Sequence, residues 1–158
     1  MPKTFILLVG VLAGVSLAAW ATRVGLGLGL SEWGFGGGEV WAEFRPEAAL
    51  AWRLGVVYVA PVLPAEKPGV GFWGGVRLAG GEAIRPLLSL GGGMWVEPTE
   101  LRVPALGWVA VGTAGLEGMF GRWGFYVGAS ALLALRPLLE GVLFYPYFLY
   151  SVGVMWGR

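Results

Sequence analysis

From Arg23 to Leu30 the chain reads R-V-G-L-G-L-G-L, so Val24, Leu26, Leu28 and Leu30 alternate with an arginine and three glycines. Only a β-strand repeats every two residues, because its side chains point alternately to opposite faces. One face of this strand is aliphatic and the other nearly bare. Glycine is depleted in ordinary strands, so three on one face point to a narrow interior that bulky residues of other strands must share.

Seven further segments have strand character. Glu39 to Arg45 sets Val40, Ala42 and Phe44 against Glu39, Trp41, Glu43 and Arg45. Leu50 to Ala60 sets Leu50, Trp52, Leu54, Val56 and Tyr58 against Ala51, Arg53, Gly55, Val57 and Val59. Val70 to Ala79 opposes Val70, Phe72, Val76 and Leu78 to Gly71, Trp73, Gly75, Arg77 and Ala79. Ile84 to Glu97 opposes Ile84, Leu88, Leu90, Met94 and Val96 to Arg85, Ser89, Gly91, Gly93, Trp95 and Glu97, with Pro86 near its start, where a missing N–H is tolerated. In Leu106 to Glu117, Trp108, Ala110, Ala114 and Leu116 are assigned outward, and Val109 and Val111 share the inward face with Thr113, Gly115 and Glu117. Trp123 to Leu135 turns Trp123, Phe125, Val127 and Leu133 outward and Gly124, Tyr126, Gly128 and Ser130 inward. Tyr147 to Gly157 turns Phe148, Tyr150, Val152, Val154 and Trp156 outward, opposite Tyr147, Leu149, Ser151, Gly153 and Met155.

Short connections (Pro46 to Ala49, Gly80 to Ala83, Gly118 to Arg122) alternate with longer ones (Ser31 to Gly38, Pro61 to Gly69, Pro98 to Ala105, Arg136 to Pro146). That is the expected pattern of an up-and-down barrel whose two rims meet different compartments. The fold class read from these elements is all-β, an eight-stranded antiparallel transmembrane barrel over residues 22–158.

Composition strengthens the reading. Hydrophobic residues make up 56% of the 158 and the mean hydropathy is +0.70, above the level of most soluble domains. A helical membrane protein would share this hydropathy. Its best window, Val103 to Phe120, however, contains Gly107, Gly112, Gly115, Gly118 and Glu117, which is poor helical material. A periplasmic lipocalin-like carrier would share the strand number but would place polar residues outward, whereas here they lie on the glycine face.

Ahead of the first strand, Lys3, the apolar run Phe5 to Leu17 and Ala19-Trp20-Ala21 have the layout of a secretory signal peptide over residues 1–21, expected to be removed after Ala21. Taking Lys3 away leaves ten bases and ten acids. That balance argues against a basic nucleic-acid surface. The chain has no Cys, His, Asp, Asn or Gln, a bias that fits a heat-adapted source.

The same absences narrow the chemistry. Serine-type catalysis lacks its histidine, and metal sites are left with Glu alone, so neither catalysis nor a cofactor is expected. Glu39 and Glu43 could in principle act as an acid–base pair on a glycoside. Beside Arg45 on one strand face, they read better as inward charges held by arginines. The triplets Gly36-Gly37-Gly38 and Gly91-Gly92-Gly93 lack the Lys-Ser/Thr and the helix of a phosphate loop.

From Arg23 to Gly157 this architecture resembles the small eight-stranded bacterial outer-membrane barrels of the OmpA-barrel, OmpX and OmpW kind. The resemblance implies a location in the outer membrane, contact with its lipid, assembly by the barrel-assembly machinery, outward aromatic girdles and a lumen of small residues with paired charges. Girdle candidates are Trp52, Tyr58, Phe72, Trp108, Trp123, Phe125, Phe148, Tyr150 and Trp156. Many members end in an aromatic residue, whereas this chain ends Val154-Met155-Trp156-Gly157-Arg158.

The lumen is then the candidate site. Its expected charges are Glu39, Glu43, Arg45, Arg53, Arg77, Arg85, Glu97 and Glu117, and its aromatics Trp41, Trp73, Trp95 and Tyr126. Eight strands enclose a space that side chains can fill, so the leading expectation is a closed, monomeric, mainly structural barrel. The alternative is an OmpW-like portal or narrow channel for a small apolar ligand. It draws on the apolar connections around Pro61-Val62-Leu63-Pro64 and Leu138 to Tyr145, with Pro61, Pro137 and Pro146 stiffening their ends.

Overall fold

The computed structural model describes residues 23–31, 34–44, 49–60, 68–79, 83–97, 105–138 and 141–157, with side chains other than those of 34, 35, 105, 136–138 and 141–145. The expected signal segment and Arg45 fall outside these residues. Eight strands follow in chain order: β1 (Arg23–Ser31), β2 (Gly34–Phe44), β3 (Leu50–Val59), β4 (Gly69–Ala79), β5 (Ile84–Glu97), β6 (Ala105–Phe120), β7 (Trp123–Leu138) and β8 (Gly141–Gly157). Each pairs antiparallel with its neighbours in sequence, and β1 pairs with β8 to close the barrel.

The register fixes the barrel's shape. One row of partners runs Leu26, Val40, Val56, Phe72, Met94, Trp108, Leu135 and Phe144. On the closing side, however, Leu26 faces Val154, ten residues along β8 from Phe144. Eight strands with that stagger tilt roughly 41° from the axis and enclose a backbone radius of about 8 Å. Such a lumen holds side chains and little else.

The two faces separate as the alternation requires. Leu26, Leu28, Trp52, Leu54, Leu90, Trp108, Leu116, Val127 and Val154 are exposed on the outer wall, while Trp41, Trp73, Trp95, Val109, Val111 and Tyr126 are buried inside. The sixth strand follows the expected parity throughout, with Thr113 and Glu117 inside and Ala110 and Ala114 outside. Leu87, Leu149 and Met155 also fill the lumen. The outward aromatics form two levels: Trp156 and Phe148 are eight residues apart on β8, about 20 Å of axial height. Trp52, Trp108, Trp123, Phe125, Phe148, Tyr150 and Trp156 are exposed, whereas Tyr58 and Phe72 face outward but are half-buried against neighbouring side chains.

Two of the four long connections turn out to be mostly strand. β2 begins at Gly34 and pairs Gly34 with Ser31, so most of Ser31 to Gly38 belongs to the wall. The glycines there serve a bulge and not a loop. The register slips between Gly29 and Leu30, and Gly37 takes a φ of 157°, with the Tyr58 carbonyl where a Cβ would stand. Likewise β7 and β8 pair as far as Leu138 and Gly141, so most of Arg136 to Pro146 extends the hairpin. The connections between β3 and β4, with Pro61-Val62-Leu63-Pro64, and between β5 and β6 lie largely outside the described residues. The two-residue turn Gly121-Arg122 between β6 and β7 puts Gly121 at a φ of 63°, which a side chain would disfavour.

Inside, large and small residues interlock by register. Trp41 stands between Gly25 and Gly55, Trp73 between Gly55 and Gly93, and Trp95 between Gly71 and Gly107. Each indole lies over a neighbouring backbone from which a Cβ is missing: Trp41 over Gly25, Trp73 over Gly55 and Gly91, and Trp95 over Gly69. Tyr126 covers Gly27 and Gly153 in the same way. Gly55 serves two tryptophans, and a Cβ there would stand 2.6 Å from Cε2 of Trp73. Gly55→Val should therefore cost about 1–3 kcal/mol of barrel stability by overpacking, and Gly92→Val, on the open outer wall, a small fraction of that. Denaturant unfolding in detergent, followed by tryptophan fluorescence, measures both.

Candidate functional site

Six of the inward charges gather at the rim of short connections, because each sits near the strand end that meets that rim. Arg23 opens β1, Arg53 and Arg85 lie near the starts of β3 and β5, and Glu43, Arg77 and Glu117 near the ends of β2, β4 and β6. Two carboxylates organise four guanidiniums. Glu43 Oε2 accepts from Arg53 Nε at 2.7 Å, and Glu43 Oε1 faces Arg77 Nη2 at 2.9 Å and Arg23 Nη1 at 3.4 Å. Glu117 Oε1 accepts from Arg85 Nε at 2.6 Å and Arg77 Nη1 at 2.8 Å, with Arg53 Nη2 3.7 Å from its other oxygen. Arg77 straddles both carboxylates.

Glu43, Arg77 and Glu117 have no solvent exposure, so these interactions act in a low dielectric. Burying the ions costs several kcal/mol each, and only such multiple charge-assisted bonds offset it. The cluster joins six consecutive strands, from β1 to β6.

Above it, the Arg53 guanidinium lies 3.9 Å from the centroid of the Trp41 ring, a cation–π contact. Trp41 packs against Tyr126, whose hydroxyl donates to Glu39 Oε1 at 2.5 Å. On the other side of the lumen, Thr113 and Ser130 share a hydrogen bond of 2.9 Å and Ser130 and Ser151 one of 2.6 Å. These hydroxyls satisfy one another within the wall of β6, β7 and β8. Towards the longer connections the lumen is largely apolar: Val57, Val59, Trp95, Val109, Val111, Leu132 and Ala134 are buried there, Tyr147 packs on Trp95, and Glu97 is the buried charge at the end of β5.

Of the charges expected in the lumen, the structure brings together Glu43, Arg53, Arg77, Arg85 and Glu117. Glu39 sits apart, bound to Tyr126, so it does not form a shared acid–base site with the arginine-held Glu43. Glu97 is buried at the far end of β5 from Arg85, and Arg45 is not among the described residues. Arg23 is the member that sequence reasoning overlooked, although it has the same parity as Gly25, Gly27 and Gly29. The hydroxyl row of Thr113, Ser130 and Ser151 also went unassigned; each lies on the inward face of its strand, but nothing in the sequence shows that the three meet.

Removing a carboxylate from this cluster should be worse than removing its most exposed cation. Glu117→Gln strands four guanidiniums around one acid and should cost about 3–5 kcal/mol, against about 1 kcal/mol for Arg85→Gln at the half-open rim. Paired urea titrations of the two variants would check the order, and an equal loss would contradict the geometry.

No protein-family model matches the sequence, and no curated protein matches it. Solved structures do. The N-terminal β-barrel domain of Pseudomonas aeruginosa OprF aligns with a TM-score of 0.56 at 14% identity, covering 87% of this chain and 98% of that one. Neisserial surface protein A aligns with a TM-score of 0.61 at 9% identity, covering 86% and 94%. Closed, all-antiparallel and eight-stranded, the chain has the fold of the small outer-membrane β-barrels.

Proposed function

We propose that this protein is a small outer-membrane barrel with a mainly structural role, a lumen closed by its own side chains, and no catalytic activity. The outer wall carries the reading. Leu54, Leu90, Leu116 and Val127 are exposed at mid-height between two aromatic levels, an arrangement that would be costly in water and is stable in lipid. The lumen supports closure. Among the described residues its charged end is knotted by ion pairs, and its other end is packed with valine, leucine and tryptophan beside the buried Glu97. Such a barrel contributes to the membrane as a rigid body and presents its connections to the compartments on either side.

The purified protein in detergent should give a β-type far-UV spectrum and migrate faster unboiled than boiled on a denaturing gel. Leu54→Arg should cost about 2–4 kcal/mol of stability in lipid. Reconstituted in planar bilayers, the protein should show no stable conductance. Steady channels would overturn the closed reading, and liposome uptake of an apolar solute would favour a portal.

A further inference from the structure

Tyr126 and Glu39 stand outside the ion-pair cluster, and a structural role does not use their chemistry. Tyr126 is 3% exposed, and its hydroxyl donates to Glu39 Oε1 at 2.5 Å. A phenol is thus buried with a proton acceptor already in hydrogen-bonding contact. The bare backbones of Gly27 and Gly153 lie against its ring and hydroxyl and shield them.

The next neighbour is an indole. Trp41 and Tyr126 have ring centroids 6.2 Å apart, and the Arg53 guanidinium carbon stands 3.9 Å from the centroid of Trp41. The chain has no cysteine, so indole and phenol are the groups that give up a single electron most readily. They differ in what they need in order to do so. An indole that loses an electron becomes a cation, and Trp41 would then face a guanidinium at close range in a low-dielectric interior. A phenol that loses an electron sheds its proton, and Glu39 is placed to receive it. The charges therefore drive an electron vacancy off Trp41 and onto Tyr126. Trp41 is also reachable from outside, because its ring fills the place of a Gly25 Cβ and lies against the backbone of β1, whose other face carries the exposed Leu26.

We infer that Tyr126 is a redox-active tyrosine, the final one-electron donor of the lumen, which restores Trp41 after attack by a one-electron oxidant of the peroxyl-radical class at the outer wall. The peroxyl radical takes one electron from Trp41 and leaves as the peroxide anion. One electron then passes from Tyr126 to the Trp41 radical cation while the phenolic proton moves to Glu39. The products are a neutral indole, a neutral tyrosyl radical and the carboxylic acid of Glu39. Two opposite charges vanish from the buried lumen in that step, which favours it where ions are poorly solvated. The inference goes beyond the structural role and depends on the lumen alone, not on where the barrel resides.

The test oxidises the full-length protein in a neutral detergent by flash-quench, with a ruthenium polypyridyl complex and persulfate. Transient absorption follows the tryptophan radical, and electron paramagnetic resonance of freeze-quenched samples follows the tyrosyl radical. The wild type should convert tryptophan radical to a tyrosyl radical whose spectrum narrows with ring-deuterated tyrosine. Tyr126→Phe should lose most of that tyrosyl signal. Glu39→Gln, which keeps an acceptor oxygen for the phenol but cannot take its proton, should slow the conversion about 100-fold. A hydrogen bond that serves only packing would leave both readouts unmoved. An undiminished tyrosyl signal in Tyr126→Phe, or an unchanged conversion rate in Glu39→Gln, overturns the proposal. Should either variant not fold, Tyr58→Phe, Tyr145→Phe, Tyr147→Phe and Tyr150→Phe together leave Tyr126 as the sole tyrosine. A tyrosyl radical in that protein supports the assignment, and its absence refutes it.

Discussion

Everything in this barrel answers to the width of its lumen. Eight strands staggered by ten residues leave about 8 Å of radius to the backbone, so an inward indole needs the room its register neighbours leave. Each inward tryptophan among the described residues, Trp41, Trp73 and Trp95, has glycine on both sides in the register. The high glycine content, costly in most sheets, is therefore a packing requirement: the missing Cβ atoms supply the volume that the indoles fill. Flexibility explains only a few of these positions, Gly37 and Gly121 among them.

Within that width the lumen divides by height. The charged layer links β1 through β6, the Tyr126–Glu39 bond ties β7 back to β2, and the row of hydroxyls joins β6 to β8. Polar contacts thus close the circle inside as the backbone ladder closes it in the wall. A soluble protein would use an apolar core to hold its strands, but here the apolar residues are largely committed to the outer face. The interior compensates with directional bonds at one end and tight aliphatic packing at the other.

The likeness to known barrels is one of form. At 14% and 9% identity the shared property is the strand arrangement, while the lumen residues belong to this chain. An alternating pattern can be rebuilt from many residues, which is why the fold persists where no sequence family is detected.

What the sequence by itself determined was parity. Period-two alternation assigns each side chain to one face without reference to any other strand, so Trp41, Arg77, Glu117 and Tyr126 were correctly placed inward, and Leu54 and Val127 outward, from local pattern alone. Even the ambiguous sixth strand followed it. Height in the barrel is a different quantity, set by the stagger between strands, and no single strand records it. Only the tertiary structure could therefore separate Glu97 and Glu39 from the cluster, draw Arg23 into it, and seat Thr113, Ser130 and Ser151 in one row. The ends of the strands were hidden for a related reason. The glycine run before Gly38 and the proline-flanked stretch before Pro146 look like loops in isolation, and become wall only because β1 and β7 are there to pair with them.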